Sequence, residues 1–254
     1  MSIIWNPWHG CHKFSPGCQH CYVYRRDESI GKNPAQVVKT ASFDLPVQKK
    51  RDGSYRIPAG ETVYAVMTSD FFVEEADGWR EDIWRMIHQR EDVQFIIITK
   101  RIVRFSSCLP DDWGNGYPNV TVGCTCENGE AAAQRLPIFL SLPIADRFVT
   151  CEPLLSPILL EPWLESGKIR AVIAGGESGD GARVCDYDWV LDIREQCRRT
   201  GVAFHFKQTG LHFRKDGHLY TIPRPLQQPQ AQKAGIDLEA SLDAPCQNLE
   251  AVVY

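Results

Sequence analysis

Short apolar runs rich in β-branched and aromatic residues recur along the chain at 3–5, 62–67, 94–99, 120–124, 147–150, 171–174 and 202–207. Longer stretches with polar loops or helical spacing separate them, a rhythm that predicts parallel βα units rather than a sandwich. Trp79, Ile83, Met86 and Ile87 fall on one helical face, and Trp189, Ile193 and Cys197 repeat the spacing, so two helices are expected to cover a sheet. The fold expected is α/β: a complete or partial (βα) barrel of about six to seven parallel strands. Residues 37–60 break the rhythm with Pro46, a Lys-Lys-Arg-Asp-Gly turn at 49–53 and Pro58, and are read as an inserted hairpin. From 211 onward Asp216-Gly217 suits a short hairpin turn, while Pro223, Pro225 and Pro229 predict an irregular C-terminal extension over 211–254. With no repeat or linker in sight, 1–254 is read as one domain with appendages.

Composition narrows the class. At 254 residues, 43% hydrophobic and 24% charged, the chain is long enough to bury roughly 70–75% of its unfolded surface, so no metal is needed merely to hold it together. No apolar run spans a bilayer, and the first residues lack the basic start and apolar stretch of a secretory signal; a cytoplasmic protein without membrane contact is expected. Its ten cysteines are irregularly spaced in a large chain and are read as thiols, not as a disulfide framework. Residues 1–60 hold nine Lys or Arg against four Asp or Glu. That local excess fits either a solvated basic face or an anionic partner such as a nucleotide or nucleic acid.

In a βα barrel the loops after the strands carry the chemistry. Here they read Thr68-Ser69-Asp70, Lys100-Arg101, Cys124-Thr125-Cys126-Glu127-Asn128, Cys151-Glu152-Pro153, Gly175-Gly176-Glu177-Ser178-Gly179 and Lys207-Gln208. The glycines permit close backbone approach but do not form a Gly-x-Gly-x-x-Gly fingerprint, and no Walker-type lysine follows a glycine loop. Cys124, Cys126 and Cys151 are read as packing thiols.

The densest chemistry lies in Gly10-Cys11-His12-Lys13-Phe14-Ser15-Pro16-Gly17-Cys18-Gln19-His20-Cys21. Three thiolates on one loop can hold three corners of an iron–sulfur cube and leave the fourth iron open. A zinc site instead wants four closed ligands, which His9, His12 or His20 would have to complete, giving a zinc-stabilised nucleic-acid-associated module without catalysis as the alternative.

Trp5-Asn6-Pro7-Trp8-His9-Gly10-Cys11, Ser15-Pro16-Gly17-Cys18 and Cys21-Tyr22 resemble the opening of an uncharacterised phage and bacterial family of three-cysteine-motif proteins, itself similar to radical SAM enzymes. Ser69-Asp70-Phe71-Phe72, Thr99-Lys100-Arg101, Glu127-Asn128, Glu152-Pro153-Leu154-Leu155, the 175–179 block and Phe206-Lys207-Gln208 resemble that family's later blocks in the same order. The resemblance implies a 4Fe-4S cluster on Cys11, Cys18 and Cys21 that binds S-adenosylmethionine, and an external electron donor for its reductive cleavage to a deoxyadenosyl radical. It further implies His20 against the adenine, Ser69 and Asp70 at the cofactor's ammonium, Glu127 at the ribose hydroxyls, and Gly175, Gly176 and Glu177 along its remaining length. Lys100 and Lys207 are then the expected catalytic residues, as proton donors facing an unidentified, anionic substrate, with Arg101 and Glu152 beside them.

Overall fold

The computed structural model describes residues 3–240. Seven strands share one sheet: β1 (Ile3–Trp5), β2 (Thr62–Ala65), β3 (Gln94–Thr99), β4 (Val120–Thr125), β5 (Asp146–Cys151), β6 (Ala171–Gly175) and β7 (Ala203–Gln208). Their spatial order is their chain order, with β1 and β7 at the edges. The pairings β1–β2, β2–β3, β5–β6 and β6–β7 are parallel, as right-handed crossovers through helices require. The fold is therefore α/β, of the partial (βα) barrel type. The helices are α1 (Tyr22–Ser29), α2 (Asp77–Gln89), α3 (Gly129–Ser141), α4 (Glu161–Leu164), α5 (Tyr187–Thr200) and α6 (Arg224–Ala234).

The chain divides into two compact units, the first holding residues up to 14, 23–123 and 141–146, the second 15–22, 124–140 and 147 onward. In the first, β3 is buried on both faces through Phe95, Ile96 and Ile97, which explains a near-continuous apolar run instead of alternation. Helix α2 buries Ile83, Trp84, Met86 and Ile87 in one stripe. Trp84 packs at a tilt against Phe71 at 4.8 Å and Trp113 at 4.9 Å, and its indole N–H donates to the Cys108 carbonyl at 2.7 Å, so the large ring is buried with its polar atom satisfied. Fully buried Arg90, just past α2, donates to the carbonyls of Pro46 and Ile57 and to Asp92, tying down the 37–60 insertion.

In the second unit α5 packs Val190, Ile193, Gln196 and Cys197 inward, starts on an Asp186 cap whose carboxylate accepts from the Asp188 N–H, and stops at Gly201 with φ 69°. Trp189, expected on the inner stripe, is half-buried instead. Positions 190, 193 and 197 follow the 3.6-residue period, whereas 189, 193 and 197 drift around the helix.

Three expectations change. Strand β2 ends at Ala65, not at 67, because Val66 takes a left-handed φ of 63°, a costly conformation for a β-branched residue. The insertion is more than a hairpin: Lys49 and Tyr55 bridge around the expected turn, but Val38–Lys39 pairs antiparallel with Trp8–His9. The extension is more regular than expected within the described residues. Strands His212–Lys215 and His218–Thr221 pair around Asp216-Gly217, and the proline-containing stretch forms α6, where Pro225 occupies the first turn and needs no N–H partner. The part of the extension beyond 240 lies outside the described residues. No helix among the described residues is long and apolar enough to cross a membrane.

Candidate functional site

Cys11 belongs to the first unit, and its loop is held by residues at strand ends. Gly10 turns at φ 93°, and a Cβ there would lie 2.1 Å from the Gln36 carbonyl oxygen, so only glycine fits. The Gly10 N–H donates to the Thr68 carbonyl at 3.3 Å, and the Ser69 hydroxyl donates to the Gly10 carbonyl. On the next residue, the Cys11 N–H donates to Pro34 O at 2.9 Å and the Tyr24 hydroxyl to Cys11 O at 2.6 Å. Arg101 reaches the thiol itself: Nη1 lies 3.6 Å from Cys11 Sγ, and Nη2 donates to His12 O at 2.8 Å. Arg101 is in turn positioned by Asp70, 3.6 Å away. Buried Asp70 also accepts from the Thr99 hydroxyl at 2.8 Å and from the N–H groups of Lys100 at 3.0 Å and Phe72 at 2.9 Å.

Cys18 and Cys21 belong to the second unit. Pro16–Cys18 forms a single 3₁₀ turn, with the Cys18 N–H donating to Ser15 O at 2.8 Å and the Cys21 N–H to Cys18 O at 3.3 Å. The Gly17 N–H points to Glu127 Oε1 at 3.3 Å. Glu127 is fully buried and pairs with Arg135 at 2.7 Å, and Arg135 also donates to Thr125 O at 2.6 Å. The loop after β6 lies beside the same segment: a Cβ on Gly181 would stand 3.3 Å from His20 Nδ1, and Arg183 reaches Gln19 Oε1 at 3.5 Å. Glu177 accepts from the Arg183 N–H at 2.9 Å and from its guanidinium at 2.5 Å. Burial pushes the Glu177 carboxyl up, but those hydrogen bonds and the charges of Arg183 and His20 outweigh it and hold the group below its ordinary value.

At the ends of β5, β6 and β7, Lys207 Nζ pairs with Glu152 Oε2 at 2.9 Å, and the Gln208 amide donates to Glu152 Oε1 at 2.6 Å. Both members of the Lys207–Glu152 pair keep some exposure, 17% and 20%. Of the two glycines at the end of β6, packing requires the second: a Cβ on Gly176 would lie 2.2 Å from Thr209 O, whereas one on Gly175 would stand 3.2 Å from the side-chain atoms Gln208 Cγ and Glu152 Oε1.

Set against the sequence reading, Ser69 and Asp70 gather around Cys11, and Glu127, His20, Gly175, Gly176 and Glu177 share the unit of Cys18 and Cys21. Several of them have protein partners where a ligand contact was expected. Asp70 holds Arg101 and the β3 end, Glu127 holds the Cys18 turn and Arg135, and Glu177 holds Arg183. Lys100 is half-buried, its N–H on Asp70. The sequence reading missed Tyr24, Arg135 and Arg183, whose only signal is their reach from neighbouring helices and loops. Cys11, Cys18 and Cys21 are partly exposed, whereas Cys108, Cys124, Cys126, Cys151, Cys185 and Cys197 are buried. The thiol of Cys126 is pushed well up by its hydrogen bond with Cys124 and by burial, and that of Cys151 by burial, as packing thiols should be. No group of three His, Cys, Asp or Glu able to hold one metal ion occurs among the described residues.

A parallel α/β sheet of the partial-barrel type, with one partly exposed thiol in the first unit and two in the second, is the class that the fold defines. The chain belongs to the family described as "Protein of unknown function (DUF5131)", whose model matches residues 1–244. No curated protein and no solved structure matches it.

Proposed function

We propose that this chain is a radical-SAM-like iron–sulfur enzyme of the cytoplasm, with Cys11, Cys18 and Cys21 as the cluster ligands. The observation that carries the reading is the contrast among the thiols: these three are partly exposed on loops held by backbone and side-chain hydrogen bonds, and the other described cysteines are buried. That donor set fits a cube with one open iron, since its ligands are soft thiolates and three in number. The lack of any disulfide among the described residues suits a reducing compartment.

When bound, such a cluster supplies the electron that cleaves S-adenosylmethionine reductively and so delivers a deoxyadenosyl radical to a substrate. The protein's part is positional. Arg101 donates to the Cys11 sulfur and to the His12 carbonyl, and Asp70 fixes Arg101. Glu127 holds the Gly17 N–H and with it the turn that presents Cys18. His20 offers a flat ring beside the 175–183 loop for the adenine. Lys207, paired with Glu152 yet partly exposed, is the proton donor toward an anionic substrate, with Lys100 as the second cation.

Anaerobic purification tests the reading. Brown protein with about four iron and four sulfide per chain is expected, and Cys18→Ala should lose both. Deoxyadenosine should be released from S-adenosylmethionine under a strong reductant. Colourless protein carrying a single zinc would overturn it in favour of a zinc-stabilised module.

A further inference from the structure

In the first unit a solvent-open cleft of about 810 Å³ lies beside the Trp8–His9 and Val38–Lys39 pair, its walls including Asn6, Arg26, Lys32, Asn33 and Thr68. Its volume is within the range of small-molecule sites, and polar side chains outnumber apolar ones among the residues that line it. No carboxylate lines it, while Arg26, paired with buried Asp27, and exposed Lys32 bring two positive charges to it.

The two cations and two of the carboxamides leave donors to offer in the cleft, while Gln36 can both donate and accept. The Asn6 side-chain oxygen already accepts from the Thr68 N–H at 3.1 Å, and that of Asn33 from the Ala35 N–H at 3.0 Å, so each carboxamide has its NH2 to offer. Arg26 spends Nε and Nη2 on Asp27 and keeps Nη1, and the Lys32 ammonium has no partner among the described residues. An independent observation points the same way. Thr68 is only 9% exposed, lines the cleft, and has a buried hydroxyl without a hydrogen-bond partner. A buried hydroxyl left unpaired is costly, and turning about the Thr68 side-chain bond to meet an acceptor bound in the cleft would satisfy it.

We infer that this cleft binds a phosphate ester of a hydroxyl-rich small molecule, the chemistry shared by nucleotides and sugar phosphates. Arg26 and Lys32 take the phosphate, and the Asn6 and Asn33 amides and the Thr68 hydroxyl take oxygens of the phosphate and sugar. A divalent cation is the wrong guest for a cleft with two cations and no carboxylate, and an apolar ligand would strand its donors. The inference stands apart from the iron–sulfur reading, because none of these residues is a proposed cluster or cofactor ligand.

Calorimetric titration of the full chain with AMP, ribose 5-phosphate, inorganic phosphate and adenosine tests it. Saturable binding of the two esters is expected, with adenosine and inorganic phosphate each weaker by about tenfold or more. AMP above ribose 5-phosphate would identify a nucleotide, and equality a sugar phosphate. Lys32→Ala, at an exposed position, should weaken AMP by about tenfold, and the near-isosteric Thr68→Val should weaken it several-fold. Adenosine or inorganic phosphate binding as tightly as AMP, unchanged affinity in Lys32→Ala, or no saturable binding of either ester at millimolar concentration would each overturn the inference. Iron and sulfide measured on the same samples report separately on the cluster.

Discussion

Replacing Glu127 by Ala removes the acceptor of the Gly17 N–H and one half of a buried ion pair in a single step. The Glu127 side chain is 0% exposed and that of Arg135 8%, with 2.7 Å between their charged atoms. Breaking such a pair from one side strands the remaining charge, at a cost of about 3–5 kcal/mol. For a chain of this length each kcal/mol moves the melting temperature by about 2–4 °C, so a fall of about 6–20 °C is expected by circular dichroism. Glu127→Gln should also lose stability, but its amide oxygen can still accept from Gly17, so it should load more iron than Glu127→Ala. The double change Glu127→Leu with Arg135→Met removes both charges and should recover most of the stability while loading iron as poorly as the alanine variant. If Glu127→Ala unfolds within about 1 kcal/mol of the parent, or the double variant is no more stable than the single one, the buried-pair argument is wrong.

Gly175, the last residue of β6, and Gly176 after it should separate cleanly by urea denaturation. Gly176→Ala drives a methyl into backbone at Thr209 and should lower soluble yield and stability far more than Gly175→Ala, whose neighbours are the movable ends of Gln208 and Glu152; equal effects would refute the packing account. Glu177 gives a pH dependence of known sign. Its carboxyl is held below 4.5 in the folded chain, so its contribution to stability is complete above about pH 4.5 and is lost as pH falls through the lower folded value. Arg183→Ala leaves burial as the dominant influence, raises that value, and should move the acid-unfolding midpoint upward; an unchanged midpoint would remove Arg183 as the cause.

The strands were legible because parallel strands buried on both faces must be apolar throughout, as 94–99 shows. What escaped the pattern was decided by single backbone torsions or by tertiary packing. Nothing in the sequence around Val66 announces a left-handed β-branched residue, yet that torsion ends β2 and starts the turn to Thr68, Ser69 and Asp70. The prolines at 223, 225 and 229 suggested an irregular tail, but two precede or open the first turn of α6, and only the third lies inside it, where it removes a hydrogen bond and crowds the carbonyl four residues earlier. Buried Gln227 and Ala231 then anchor that helix, a contribution that proline counting does not register.

The polar residues after the strands were legible as a group, but their individual duties were not. A carboxylate at a strand end can face a ligand or brace a loop, and the sequence pattern is the same in both cases. Asp70 and Glu127 are both buried, and each holds an arginine and a backbone N–H. On this geometry their contribution to the proposed chemistry is positional: Asp70 sets the guanidinium at Cys11, and Glu127 sets the turn at Cys18. The segment 10–21, with Gly, Ser and Pro between its cysteines and only a single 3₁₀ turn, has little structure of its own to fix sulfur positions, and a ligand of the proposed cluster must be fixed before the metal arrives or supply ordering free energy on binding. Bracing from the strand ends therefore accounts for conspicuous acidic residues in this chain without assigning each of them to the cofactor.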